Sequence, residues 1–457
     1  MNGPHPSTRK AVLLALCLGF SRALALAAEP APARFTLLTS EVLDAACFLN
    51  AVSDNPRFNE PWADLREEWL PKLQADPAVR AALDRWSGRG IQLAYLLSSL
   101  PETDLGGILK RFDDPKPLLA EIRRKLDEPA YGPVLADLEA SHGMVRTLLA
   151  FLHRNGFSAL RAERYGGLLR DNQLALEPVL KRFDAARFAD LLEAFSGRRI
   201  PDREMRIAVL VFASPMSFQL NGFSIGWGTQ KGSLDWLLAH EFMHKLNPSR
   251  ENLAAQKRLA GADPLYKEAW DRVYGEFNEG KEEEFVDAAS RFALLELGLA
   301  SPVRNLRSMK FLYFSQKTGK GGVPLAAVLY DGLAAGKDQQ KGLGYDRFIA
   351  AAFSSGGLRP GRFEEAYRKA IKPVSGMAGM VLKGESSGAR VEKVFEGFPA
   401  AGAGIKAGDL LVSARGARLA GKDLDSMLDA LAGESGSQVE VVVKGLLVDR
   451  KAVLTLR

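Results

Sequence analysis

A chain of 457 residues is too long for one ordinary core, so two to four domains are expected. With 47% hydrophobic and 25% charged residues the composition is that of a soluble globular protein, which argues against disorder or a repeat array. The net charge of +6 comes from 61 Lys+Arg against 55 Asp+Glu scattered along the chain, without the basic cluster that a nucleic-acid partner requires.

At the N-terminus, Arg9 and Lys10 precede the apolar run from Ala11 to Phe20. The small residues Ala23 to Ala28 and then Glu29-Pro30 follow. A charged segment, an apolar segment and a small-residue cleavage site predict a signal peptide over 1–28, cut near Ala27 or Ala28, and an exported chain, periplasmic or secreted. The alternative is an uncleaved anchor, the only case in which membrane association is expected. Against it, the apolar run falls short of the roughly 20 residues of a span, and Ser21 and Arg22 interrupt it. Leu16 precedes Cys17 where a lipoprotein site needs a small residue. Signal removal leaves Cys47 as the sole cysteine, so no internal disulfide is expected, and its apolar surroundings (Val42, Leu43, Ala46, Leu49) place it in a core.

Residues 29–34 read as a short extended linker. From 35 to 204 the periodicity is helical: Leu65, Trp69, Leu70 and Leu73 share a face, as do Val145, Leu148, Leu149 and Leu152. His142 and His153 lie here and read as surface or packing residues. At Ile207 to Ala213 a β-rich apolar run predicts a buried strand, and Leu220 to Gly228 a second. A helix is predicted from Ser233, as N-cap, to about Leu246, ended by Asn247-Pro248. Another covers 281–297. After Lys372-Pro373 come short β runs near 389–394, 410–414, 439–443 and 452–456, with a helix at about 424–432.

The chemistry concentrates at His240-Glu241-Phe242-Met243-His244. Histidines four apart on a helix project from one face, so both imidazoles can reach one Zn2+ at about 2.0–2.1 Å. Glu241 beside them can take the proton of a metal-activated water. The chain has only five histidines, and the flanking Leu237-Leu238-Ala239 is apolar, so a chance surface pair is the weaker reading. No histidine follows His244, so the third ligand is sought among carboxylates or upstream histidines. The run Glu282-Glu283-Glu284-Phe285-Val286-Asp287 is the best source: Glu283 as ligand, with Asp287 four residues on taking the N–H of a ligating histidine. Glu284 and Glu279 are rivals, and a solvated acidic run at a helix N-terminus is the bland reading.

His240-Glu241-x-x-His244 followed by Glu283-x-x-x-Asp287 resembles the gluzincin, or thermolysin-like, zinc metallopeptidases over roughly 205–300. The resemblance implies that His240, His244 and Glu283 bind Zn2+, that Glu241 is the general base, and that Asp287 orients a histidine. It also implies that the strand around Asn221, Gly222 and Phe223 binds extended substrate. A Tyr, His or Arg for the oxyanion is implied too; Tyr313, Tyr330 and Tyr345 all qualify, and Tyr345 is taken forward. Asn278-Glu279-Gly280 is similar to the zinc-glutamate segment of one aminopeptidase branch, but Lys281 and Glu282 replace the apolar residues expected after it.

The C-terminal segment resembles a PDZ domain of the bacterial type. Met377-Ala378-Gly379-Met380 matches the carboxylate-binding loop, and Phe398 to Leu411 the most recognisable segment, with an extra glycine across Gly402 to Gly404. Such domains add a peptide C-terminus as an extra strand. The expected fold class is therefore multidomain α+β: a helical region at 35–204, a zinc-peptidase core of a small sheet plus active-site helices at 205–372, and a PDZ β-barrel or sandwich at 375–457. The expected function is hydrolysis of polypeptide substrates. The alternative is an inactive PDZ adaptor whose metal site is structural.

Overall fold

The computed structural model describes residues 32–214, 216–228, 233–246, 248–277, 279–315, 320–336, 344–354, 357–445 and 448–457. The expected signal peptide lies outside the described residues, as does Asn278. Among the described residues no helix is long and apolar enough to cross a membrane.

The molecule is a mixed α+β assembly with two separate sheets. The first contains β1 (Arg34–Thr39), β2 (Glu204–Val209), β3 (Ser217–Leu220) and β4 (Ser224–Trp227), in the order β1-β2-β4-β3. β1 pairs in parallel with β2, with Phe35 beside Met205 and Leu37 beside Ile207. The expectation of a linker to residue 34 followed by a mainly helical region gains one strand at its start. Arg34-Phe-Thr-Leu-Leu-Thr39 is a run of β formers whose partner strand lies 170 residues away, which no local pattern reveals.

β2 is buried on both faces. Met205, Ile207 and Val209 join a core that runs through the middle of the chain, whereas Ala208 faces a second core built on the N-terminal helices. This period-two division explains why the strand reads as one apolar run rather than an alternation. The second expected strand is in fact a hairpin: β3 and β4 pair antiparallel around Asn221, Gly222 and Phe223, with Gly222 at φ +67°.

α1 (Glu41–Ala51) fastens the helical region to this sheet. Ser40 caps it by accepting from the Leu43 N–H at 3.2 Å. Asp44, fully buried, accepts from the N–H groups of Val211 at 2.7 Å and Phe212 at 3.2 Å, and from Arg161 Nε at 2.5 Å. Asp44→Ala strands two buried backbone donors and should cost about 2–4 kcal/mol in chemical denaturation. Burial outweighs Arg161 and the two N–H groups, and raises the Asp44 carboxyl from 3.8 to about 6. Since the folded value lies above the unfolded one, this stabilisation is full below pH 3.8 and is lost as pH rises through about 6. Against Asp44→Asn, wild type should therefore lose about 2 kcal/mol between pH 4 and 7. Neighbouring Cys47 is buried and unpaired, and burial pushes its thiol well up, as befits a core residue.

α2 (Leu234–Met243) and α3 (Glu283–Glu296) cross the middle core, followed by α4 (Pro302–Phe311) and α5 (Pro324–Ala335). The C-terminal module has its own core, with Val391, Leu411, Val439, Val441 and Leu454 buried. Its strands are β5 (Met380–Glu385), β6 (Gly388–Val394), β7 (Leu410–Ala414), β8 (Ala417–Arg418), β9 (Gln438–Val443) and β10 (Arg450–Thr455). The sheet order is β10-β9-β7-β6-β5, with β8 hairpinned to β7 and α6 (Leu424–Leu431) over the β5 end.

Candidate metal centre

α2 is buried from Leu238 to Met243, so its apolar residues fix it in the core while its polar residues face inward. It starts after Ser233, which occupies the N-cap position as expected, with Asp235 in the first turn, although its side chain makes no capping bond. His240 sits in its last turn and His244 in the 3₁₀ turn that follows, His244–Leu246. The two rings lie 4.9 Å apart at 90°.

α3 packs against α2 and is buried from Glu283 to Leu294. Its first residue, Glu283, places Oε2 at 3.1 Å from His240 Nε2 and Oε1 at 3.6 Å from His244 Nε2. His240, His244 and Glu283 thus offer three ligand atoms within 4.8 Å of one another, and this group could hold a metal ion. Two neutral imidazoles and one carboxylate are a donor set that suits zinc and leaves a coordination position for water or substrate.

The rivals are separated by the helix. Glu284 points away and is fully buried; it accepts from the Tyr266 hydroxyl at 2.8 Å and from the N–H groups of Leu325 and Ala326 at 2.9 and 3.4 Å, which begin α5. Burial outweighs these donors and raises its carboxyl to about 7. Glu279 is near enough for its charge to act on Glu241 and Tyr313, but it is not one of the three converging donors.

Burial of His240 opposes its protonation, but the hydrogen bond and charge of Glu283, with Glu241 and Asp287, prevail and raise it to about 9. His244 is pulled down, chiefly by burial. Glu241 is pushed up, again chiefly by burial. The pocket is therefore a dense negative field around two imidazoles, which a divalent cation would neutralise with release of a proton.

Asp287 does not make the expected bond to a ligating histidine. Its Oδ1 accepts from Trp236 Nε1 at 2.8 Å and Arg291 Nε at 3.3 Å, while Asp287 Oδ2 and His240 Nδ1 are both buried without a partner among the described residues. The two N–H donors hold the carboxylate toward Trp236, whose ring lies 5.0 Å from that of His240. Asp287 thus supports the histidine through an aromatic face.

Tyr345 is corrected as well. Its hydroxyl donates to the Phe285 carbonyl at 2.6 Å, and its ring stacks on Phe195 in the core. Tyr330 accepts from Asn305 Nδ2 at 3.2 Å. Of the three tyrosines, Tyr313 is the one whose phenol is acted on by Glu283, Glu279, Asp287 and Glu284; burial and then these charges push it well up. Its backbone is left-handed, at φ +51°, which is strained for a non-glycine residue.

Nor do Asn221, Gly222 and Phe223 offer a substrate edge. β4 is paired on both sides, and the turn before it is fastened to residues 125–127: Asn221 Nδ2 donates to the Lys125 carbonyl and the Gly222 N–H to Asp127 Oδ2, each at 3.0 Å. Phe223 is buried in the middle core. Lys245 is a further buried polar residue beside the motif. It is fully buried, donates to the Leu220 carbonyl at 2.5 Å, and lies 3.5 Å from Asp127. A lysine directly after an apolar metal-motif helix was the signal that it had a fixed partner. Met377 to Gly379 lead into β5, and Met380 is its first residue.

No family model matches this sequence, and no curated protein matches it. Among solved structures, a photosystem II D1 C-terminal processing protease shares 22% identity over 29% of this chain, with a TM-score of 0.17. An aminopeptidase N family protein from Idiomarina loihiensis shares 11% identity over 62%, with a TM-score of 0.27. The matches span 43% and 63% of those chains, and both are too slight to define this chain's fold or activity.

Proposed function

We propose that this chain is a zinc-dependent peptidase whose C-terminal module, of PDZ type, positions the polypeptide substrate. The convergence of His240, His244 and Glu283 beside a buried Glu241 carries this reading. A bound Zn2+ would supply a Lewis acid that acidifies water and polarises a carbonyl. Glu241 accepts the proton of the attacking water on its carboxylate and returns it to the leaving amine. Its burial, by raising its proton affinity, suits that task. Trp236, held by Asp287, keeps the His240 ring in place.

Tyr313 donates its hydroxyl to the developing oxyanion, in the role first given to Tyr345. Tyr313→Phe should lower kcat by about 10- to 1000-fold with KM little changed. Tyr345→Phe should instead spare kcat and cost about 1 kcal/mol of stability through its lost carbonyl bond. The reverse pattern in steady-state kinetics and denaturation would exchange their roles.

The direct test of the metal is elemental analysis of the purified chain, with about one zinc expected. Glu283→Gln should release that zinc. Glu284→Gln should retain it and lower stability, because only the second carboxylate anchors α5. Equal zinc loss in both variants would overturn the ligand assignment.

A further inference from the structure

The C-terminal module is held to the middle of the chain by ion pairs between α4 and α6. Arg304 lies 3.5 Å from Asp423 and 3.3 Å from Asp429, and Arg307 lies 2.8 Å from Asp425 and 3.1 Å from Asp429. Between the two bodies this contact leaves a cleft of about 730 Å³. One wall carries Trp236, Arg291 and Leu312, and the other Leu424 and Asp425. Trp236 is the residue whose ring rests on His240. The cleft therefore runs from the module to Trp236, which stands between it and His240; none of the three converging ligand residues lines it.

The module's free groove opens on the same cleft. Among the described residues β5 ends its sheet and is paired only with β6. At the start of β5, Gly379 is buried, and neither its N–H nor that of Ala378 has an acceptor among the described residues. A buried donor is rarely left unpaired, so the Gly379 N–H, with that of half-buried Ala378 beside it, is open to an oxygen ligand. Gly379 is also obligatory: it sits at φ +76°, and a Cβ there would lie 2.0 Å from Phe398 Cβ. At the other end of β5, Gly384 lies against Leu424, the first residue of α6 and a lining residue of the cleft. Val381 and Leu424 are exposed apolar side chains along this path, 40% and 38% accessible. A strand added to β5 with its carboxylate at Ala378–Gly379 thus leaves the groove at the mouth of the cleft.

We propose that one polypeptide occupies both sites: its C-terminal carboxylate is held at Ala378–Gly379, and its upstream residues run through the cleft past Trp236 to the metal centre. This rests on the peptidase reading above and deepens it. The substrate class is an unstructured C-terminal tail, cut at a fixed count of residues from its end, with α4–α6 ion pairs setting the count.

The test uses the full chain carrying Glu241→Gln and a synthetic tail peptide with an apolar, free C-terminus. A photocrosslinker stands at about the eighth residue from that end, beyond the stretch that β5 can pair at about 3.3 Å per residue. Crosslinks should map to residues 236 and 308–312, and amidation of the C-terminus should reduce them at least about tenfold, or about 1.4 kcal/mol. In the wild-type chain, inserting residues into the tail upstream of its last few positions should move the cut so that its distance from the C-terminus stays constant. Asp429→Arg, which reverses the shared charge of the ion pairs, should spare hydrolysis of a short peptide and scatter the cut positions on the tail. Crosslinks outside the cleft, indifference to amidation, or a cut that stays at one sequence position would overturn the proposal. A chain that crosslinks as expected but cuts no peptide would instead remove the peptidase reading and leave the tail path standing.

Discussion

Glu241→Gln should keep its zinc and lose peptide hydrolysis by about 10²- to 10⁴-fold, the range ascribed to a positioned general base. The amide is nearly isosteric, so the buried helix α2 keeps its packing, but it cannot take a proton from water. Glu241 is buried beside both histidines, and burial followed by the charges of His244 and His240 sets its proton affinity. The expected signature is a fall in kcat with metal content and thermal midpoint unchanged. Retained hydrolysis would move the base elsewhere, and absence of any wild-type hydrolysis would favour an adaptor that uses its metal for structure.

His240→Ala should abolish both zinc binding and hydrolysis. Its Nε2 is the donor closest to Glu283, at 3.1 Å, and two remaining donors make a poor zinc site. The loss should also appear without any activity assay. A ligand that binds only the folded state stabilises it by about 4 kcal/mol at a thousandfold excess over Kd, so added zinc should raise the melting temperature of wild type and leave that of His240→Ala unmoved. Stoichiometric zinc in His240→Ala would sink the site.

The motif helix, the helix that carries Glu283, and the strands of the C-terminal module were legible in the sequence because each is written in local spacing. His240 and His244 lie four apart, so any helix brings them to one face. The apolar run at 207–213, of which only the start lies in β2, and the glycine-rich segment 220–228 that holds β4 are likewise local patterns, although the run's division between two cores is not. Local spacing is silent on how a helix is turned toward its neighbours. Glu283 and Glu284 differ by about 100° around the helix axis, and only the packing of α3 on α2 and α5 decides which reaches the histidines and which caps α5.

The same reason accounts for Asp287, which the sequence reading aimed at a ligating histidine. Trp236 and Arg291 donate to it and take it up first. It accounts for Tyr345, whose hydroxyl the Phe285 carbonyl satisfies, and for Tyr313, whose carboxylate neighbours come from two turns of a distant helix and the loop before it. It accounts for β1, whose partner strand lies far along the chain. The residue types able to bind metal and move protons were thus readable from the chain itself. Which of several equivalent carboxylates and tyrosines faces the site was decided by long-range packing, because burial and hydrogen-bond competition act between residues that sequence distance keeps apart.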